Sequence, residues 1–197
     1  FIALTALGCS MGIYSQQNAD SLKSVKLDEV VVSAIRVGDN APVAYSNMNE
    51  VQLKKENAAK NIPAVISTLP SVVSYTEGGT PVGNTSFRIR GTDANRINIT
   101  LNGMPLNNAE TQEVYWVNLP DLSNSLQSLQ IQRGVGTSTN GTASFGASIS
   151  MQTLGGKSKP YADLSTAYGQ YNTMILSGAV GTGIMKNGLS LDARYSY

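Results

Sequence analysis

The segment FRIRGTDANRINITLNGMPLNN, residues 87–108, carries the strongest fold signal in the chain. Two runs in it, Phe87–Arg90 and Ile97–Leu101, alternate apolar and polar side chains. That period of two places all the apolar groups on one face, as a half-buried strand requires. Asn102-Gly103 then supplies the residue pair that a two-residue type I′ hairpin turn favours. The segment therefore predicts an antiparallel β-structure with one buried face.

Sequence on either side adds helices and further strands. Val51–Asn61 is polar and compatible with a helix, and Ile62–Leu69 repeats apolar residues at the helical spacing i, i+3, i+4, i+7 until Pro70 ends it. Leu126–Ile131 and Ile149–Thr153 are apolar enough to form strands. These elements predict a small α+β domain over residues 42–156.

After about residue 160 the pattern changes to longer alternating runs. Three of them are predicted as strands, starting near Tyr161, Tyr171 and Leu189, with turn signals at Gly169-Gln170 and Asn187-Gly188. In the last run one face is expected to meet lipid (Leu189, Leu191, Ala193, Tyr195, Tyr197) and the other a lumen (Ser190, Asp192, Arg194, Ser196). Long strands of this kind are typical of membrane β-barrels, although a soluble sheet with one wet face fits any single run. Because three strands cannot close a barrel in lipid, we expect residues 161–197 to be the start of a truncated one.

Composition excludes several function classes. The net charge of +1 lacks the basic footprint of a nucleic-acid binder. The chain contains no histidine and a single cysteine, Cys9. Histidine-based acid–base catalysis and the usual zinc sites are therefore excluded. No pairing of a nucleophile with a base is visible, so we expect neither an enzyme nor a bound cofactor.

The amino-terminal part divides into a leader and an arm. Residues 1–15 are uncharged and mostly apolar, which favours part of a secretory signal peptide over a membrane-spanning helix. Residues 16–41 are polar and predicted to be extended, apart from the β-rich run 27–34, namely Leu27, Asp28, Glu29, Val30, Val31, Val32, Ser33 and Ala34. A strand this short is not stable alone. It is either an edge strand of the following domain or a segment that pairs with a partner's sheet.

Four motifs, taken in their order, resemble the TonB-dependent outer-membrane receptors of Gram-negative bacteria. LDEVVVSA (27–34) resembles the TonB box that these receptors present to their energising partner. The other three resemble the plug domain: IPAVISTLPSVVSYTEGG (62–79), FRIRGTDANRINITLNGMPLNN (87–108) and LPDLSNSLQSLQIQRGVGTSTNGTASFGASISMQT (119–153). The fold class that the resemblance implies is an α+β plug, a small mixed sheet with short helices, followed by the first strands of a transmembrane antiparallel β-barrel.

The resemblance also implies a function. A plug inside the barrel would gate energised uptake of a scarce nutrient, with a ferric siderophore as the default ligand and cobalamin, haem or an oligosaccharide as alternatives. The implied partners are the inner-membrane TonB complex, outer-membrane lipid and a small-molecule ligand, and no nucleic acid. Arg90 and Arg133, each before a glycine, match the arginines that pair with glutamates on the barrel wall in this family. Without the resemblance, the pattern favours solvated charges on a strand face for Arg88, Arg90 and Arg133. The resemblance also implies that the β-rich run Leu27–Ala34 is the segment to which TonB binds.

Some features keep a second interpretation. Tyr115 and Trp116 form either a ligand-stacking pair or the apolar anchor of a plug loop, and aromatic residues pack more often than they recognise ligands. The loop 134–146 and Gly156-Lys157-Ser158 suggest a phosphate site, but Met151 stands where a P-loop needs its first glycine. A soluble periplasmic or surface binding module with a plug-like fold is the alternative function, and the strands after residue 160 argue against it.

Overall fold

The computed structural model describes residues 36–38, 42–57, 60–80, 83–135, 145–169, 172 and 174–197. The predicted signal segment 1–15 and the predicted docking strand Leu27–Ala34 lie outside the described residues, as does most of the glycine-rich loop. The described part begins at the last residues of the predicted arm.

Ten strands, two α-helices and three short 3₁₀ turns make up the regular structure of the described residues. The helices are α1 (Glu50–Glu56) and α2 (Ile62–Ile66). The first seven strands are β1 (Tyr45–Asn49), β2 (Val72–Thr76), β3 (Thr85–Ile89), β4 (Ile97–Leu101), β5 (Met104–Pro105), β6 (Leu126–Arg133) and β7 (Ala147–Thr153). The last three are β8 (Tyr161–Tyr168), β9 (Met174–Gly181) and β10 (Asp192–Ser196).

A five-stranded mixed sheet, in the order β1-β6-β7-β4-β5, organises the domain. Its one parallel pair joins β4 to β7, and the other neighbours are antiparallel. The core is formed by apolar side chains of this sheet, of α2 and of β3, including Ile66, Phe87, Ile99, Leu129 and Ile149, each fully buried. The predicted α+β domain with a small mixed sheet is thus confirmed.

The helices are shorter than predicted but begin where the sequence places them. Asn49 caps α1, because its side chain accepts from the Gln52 backbone N–H at 2.9 Å while the Gln52 side chain accepts from the Asn49 N–H at 3.0 Å. In α2, Pro63 lies in the first turn, where a missing N–H has no helical partner to lose. Its predicted apolar stripe faces the core.

Two hairpins turn through consecutive residues with positive φ. Asn102 and Gly103 have φ values of 51° and 82° between the paired strands β4 and β5, which confirms the predicted type I′ turn. Arg90 and Gly91 adopt the same conformation, with φ values of 51° and 79°, and the Thr92 N–H donates to the Ile89 carbonyl at 3.0 Å. This second turn was not predicted, since arginine is not a usual turn residue.

The last three strands form a separate antiparallel sheet in the order β10-β9-β8. Large apolar side chains project from one face into solvent: Leu164, Tyr168, Met174, Leu176, Val180 and Tyr195, exposed by between 41% and 77%. On the other face the hydroxyl groups of Ser165 and Ser177 lie 2.6 Å apart. The predicted third strand Leu189–Tyr197 is shorter than expected: β10 covers Asp192–Ser196, and before it the Leu191 carbonyl accepts from the Thr182 N–H at 3.0 Å. An exposed apolar face of this size is typical of a surface that lipid or a protein partner covers.

We expect this exposed face to decide solubility. A chain of residues 16–197 should aggregate after expression without a membrane, because it exposes apolar side chains and unpaired strand edges. A chain of residues 16–154 should stay monomeric, since it ends just after β7. Sedimentation and size-exclusion chromatography compare the two. Adding Leu164→Ser and Leu176→Ser to the longer chain should recover part of its solubility. Equal solubility of both unmodified chains would contradict the expectation.

Candidate functional site

The two arginines that precede glycines lie together at the carboxyl end of β6. Arg90 Nη1 donates to the Arg133 backbone carbonyl at 3.5 Å, and the Arg90 backbone N–H donates to Ser71 O at 3.0 Å. Arg133 Nε donates to Pro70 O at 3.1 Å, and its Nη2 donates to the Ser46 hydroxyl group. The αL turn at Arg90 and the strand end at Arg133 thus bring together two side chains that are 43 residues apart in sequence. We call them the arginine pair.

The arginine pair concentrates positive charge. Burial lowers the pKa of the Arg133 guanidinium from its ordinary value, and the charge of Arg90 lowers it further. Neither arginine takes part in any of the four ion pairs found between described residues. Two neighbouring guanidinium groups held by carbonyl and hydroxyl oxygens favour an anionic partner. The N–H groups of a guanidinium are spaced to donate to both oxygens of a carboxylate. The geometry can therefore bind a carboxylate from outside the described residues.

A second cluster fastens the end of the arm to the sheet. The Val37 N–H donates to Gln130 Oε1 at 2.8 Å, and Gln130 Nε2 donates to the Val37 carbonyl at 3.1 Å. Arg36 reaches across β6 and β7, donating to Ser128 Oγ at 2.8 Å and to Ser150 O at 3.1 Å. Val37 is 6% exposed. We call these contacts the arm anchor.

Within the arm anchor, Gln130 binds the backbone of Val37 rather than its side chain. Gln130 satisfies both backbone groups of Val37, as a neighbouring strand would, and also donates to Asn47 Oδ1 at 2.8 Å in β1. Burial lowers the pKa of the Arg36 guanidinium from its ordinary value. Sequence reasoning missed this site because it placed the whole of 16–41 in an extended arm. The only local signal is a lone arginine two residues after the β-rich run.

Tyr115 and Trp116 are adjacent in sequence but have different surroundings. Trp116 is 2% exposed, and its ring centroid lies 6.1 Å from that of Phe87 in the core. Tyr115 is 49% exposed, and its hydroxyl group donates to Thr111 Oγ1 at 3.3 Å. Trp116 is therefore placed as the anchor of its loop, while Tyr115 is open to contact from outside.

Within the described ranges, no cluster of three or more acidic, cysteine or histidine side chains could hold a metal ion. Among the helices of that same part of the chain, none is long and apolar enough to cross a membrane.

Comparisons with known proteins give one match to a family and several to a fold. A family model described as TonB-dependent Receptor Plug Domain matches residues 38–148, more than half of the chain. No curated protein matches the chain well enough to count as a relative. The fold is also found in solved structures of receptors and of a copper transporter.

Three of these structures show the extent of the likeness. The ferric yersiniabactin uptake receptor FyuA from Yersinia pestis is 13% identical, with a TM-score of 0.60 over 78% of this chain. The ferripyoverdine receptor of the outer membrane of Pseudomonas aeruginosa is also 13% identical, with a TM-score of 0.61 over 79%. The copper transporter OprC is 16% identical, with a TM-score of 0.56 over 76%. The chain spans only 24%, 20% and 23% of their respective lengths.

Proposed function

The chain belongs to the TonB-dependent receptor plug domain family, and we propose that it is the amino-terminal part of an outer-membrane receptor whose plug gates energised uptake of a scarce nutrient. The match over residues 38–148 is the observation that carries the proposal. The likeness to receptor structures also extends beyond the plug, because 78% of this chain aligns with FyuA. The proposed activity is transport, not enzymatic catalysis.

The proposed energising contact is the β-rich segment Leu27–Ala34, acting as a TonB box. An isolated strand gains backbone hydrogen bonds by adding to a partner's sheet edge. The arm anchor supports this role, since it joins the chain to the plug sheet only two residues after the segment ends. A pull on Leu27–Ala34 would therefore reach Arg36, Val37 and then β1, which lies at the edge of the sheet.

The proposed seat of the plug is a barrel wall that begins with β8–β10. Their outward apolar face fits lipid, and their inward face meets the plug. The arginine pair would bind carboxylates on that wall. A buried charge without a partner is unfavourable, so these contacts would hold the plug in place at rest. A pulling force on the arm would break them.

The ligand is proposed as a ferric siderophore or a similar metal chelate. FyuA is described as a ferric yersiniabactin uptake receptor and the Pseudomonas protein as a ferripyoverdine receptor, whereas OprC is described as a copper transporter. One fold thus accommodates different metals, and cobalamin, haem or an oligosaccharide are the other candidates. Tyr115 is the residue of the aromatic pair that we propose for the ligand side, because it is exposed while Trp116 is buried.

A soluble plug-like binding module is the second candidate. The exposed apolar face of β8–β10 argues against it, since a soluble module would have to leave Leu164, Leu176 and Tyr195 in water. Heat-modified migration of the full-length protein on a gel, after membrane extraction, distinguishes a barrel from a soluble module.

Uptake with and without TonB tests the proposal. Cells that carry the full-length gene should accumulate radioactive iron from a panel of ferric siderophores, and cells that also lack TonB should bind the same chelates at the surface without accumulating iron. Cells lacking this receptor provide the background. Equal accumulation with and without TonB would contradict energised gating, while surface binding alone would still identify a receptor.

A further inference from the structure

A turn of the plug and the last strand of the three-stranded sheet meet through an ion pair. Arg194 in β10 donates from Nη2 to Asp121 Oδ2 at 2.7 Å and from Nη1 to the Asn124 backbone carbonyl at 2.7 Å. The two acceptors belong to the same 3₁₀ turn, Leu122–Ser125 with its cap Asp121. A single guanidinium thus holds one side chain and one backbone group of the turn.

Both ends of this contact are held in place. On the plug, Asn124 Nδ2 donates to Asp121 Oδ1 at 2.6 Å, and the Leu154 N–H donates to Ser125 O at 2.9 Å. On the sheet, Arg194 Nη2 lies 3.5 Å from Ser177 Oγ, and Ser177 is itself paired with Ser165. The polar chain therefore runs from β8 through β9 and β10 to the turn.

Burial separates this ion pair from the others among the described residues. The side chains of Arg194 and Asp121 are 25% and 13% exposed. In the three other pairs at least one partner is about half exposed or more, as with Arg88 and Asp93 at 55% and 59%. Exposed pairs contribute little, whereas a desolvated pair is costly to break from one side only.

We infer that Asp121 and Asn124 form a docking site on the plug for a cationic side chain of the barrel wall, and that Arg194 is the wall residue that fills it. The inference rests on the proposed function in taking β8–β10 as wall, and its consequence for orientation also takes the arginine pair as a second contact with that wall. The site has the opposite sign to the arginine pair. The two lie at opposite ends of β6, about 23 Å apart by the rise of an antiparallel strand.

Two docking points of opposite charge fix orientation as well as position. The plug would offer an anionic site before Leu126 and a cationic pair at Arg90 and Arg133. A wall with matched charges accepts such a plug in only one direction, because the reverse places like charges together. Arg194 is in this sense a positioning residue for the plug.

Hydrogen exchange of the full-length receptor in lipid tests the inference. Arg194→Gln should speed the exchange of amides in Leu122–Leu126 and at Leu154 by about tenfold, because a partly buried pair loses one partner. Arg88→Gln is the matched control: it breaks an exposed pair in β3 and should leave those amides unchanged.

Exchanging the two charges completes the test. The double variant Arg194→Asp with Asp121→Arg should return the exchange towards that of the unmodified receptor, and Asp121→Asn alone should reproduce the effect of Arg194→Gln from the plug side. Unchanged exchange in both single variants, or no recovery in the double variant, would overturn the inference. The measurement does not depend on TonB or on transport, so a failure here is distinct from a failure of the proposed function.

Discussion

Val31→Pro in the full-length receptor is expected to abolish energised uptake while surface binding of the ligand stays intact. Val31 lies in the middle of the proposed TonB box, Leu27–Ala34. Proline removes one backbone donor and cannot join the interior of a sheet ladder, so the segment could no longer pair with its partner. Accumulation of radioactive iron measures uptake, and binding at low temperature measures the surface step.

The arm offers a matched control for this variant. Val25→Pro makes the same substitution six residues upstream, outside the proposed box, and should leave uptake close to normal. Loss of uptake in both variants would point to a general requirement of the arm. Normal uptake with Val31→Pro would remove the box from Leu27–Ala34.

The second large effect is expected when the arginine pair is removed. With Arg90→Ala and Arg133→Ala, the full-length receptor should still insert in the outer membrane, but its plug should be looser. Breaking a desolvated pair from one side costs about 3–5 kcal/mol, against up to about 1 kcal/mol for an exposed pair. Hydrogen exchange across Phe87–Thr153 should therefore quicken strongly if carboxylates of the wall cover both arginines.

Arg96→Ala serves as the comparison, because Arg96 is an arginine of the same plug for which no contact with the wall is proposed. It should change exchange little. An equally small effect in the double variant would place the arginine pair in solvent and remove its proposed contact with the wall.

The alternating segments could be predicted because their burial follows local periodicity. In β3, Phe87 and Ile89 are fully buried and Arg88 is exposed, as the spacing indicates. Strand β4 departs from this pattern, because Asn98 and Thr100 are buried along with Ile97 and Ile99. The Asn102-Gly103 turn was predictable for a similar reason, since its residues carry the conformational preference themselves. Both signals lie within a few residues of the structure that they specify.

The parts that were missed depend on distant residues. Strand β1, YSNMN, has only Met48 buried and becomes a strand by pairing with β6. Strand β2, VVSYT, was missed although its valine, tyrosine and threonine residues favour a strand, because the segment was assigned to a helix and turn; it pairs with β3. The arm anchor joins residues 93 positions apart, and the contact of Arg194 with Asp121 joins residues 73 apart. Local patterns carry no information on such contacts, because tertiary pairing overrides weak local preference.

The arm anchor also sets the length of a tether. With Arg36 fastened to the sheet, the nine residues back to Leu27 can extend at most about 30 Å. If the anchor opened, the fixed point would move to Tyr45 at the start of β1, and the 18 residues back to Leu27 could extend about 60 Å. A tether that is too short to span two sites gives an effective concentration near zero, and one that just spans them gives the highest. The contacts of Gln130 and Arg36 would therefore set how far from the outer membrane a partner can bind the segment Leu27–Ala34. They would also set the effective concentration of the segment at that partner.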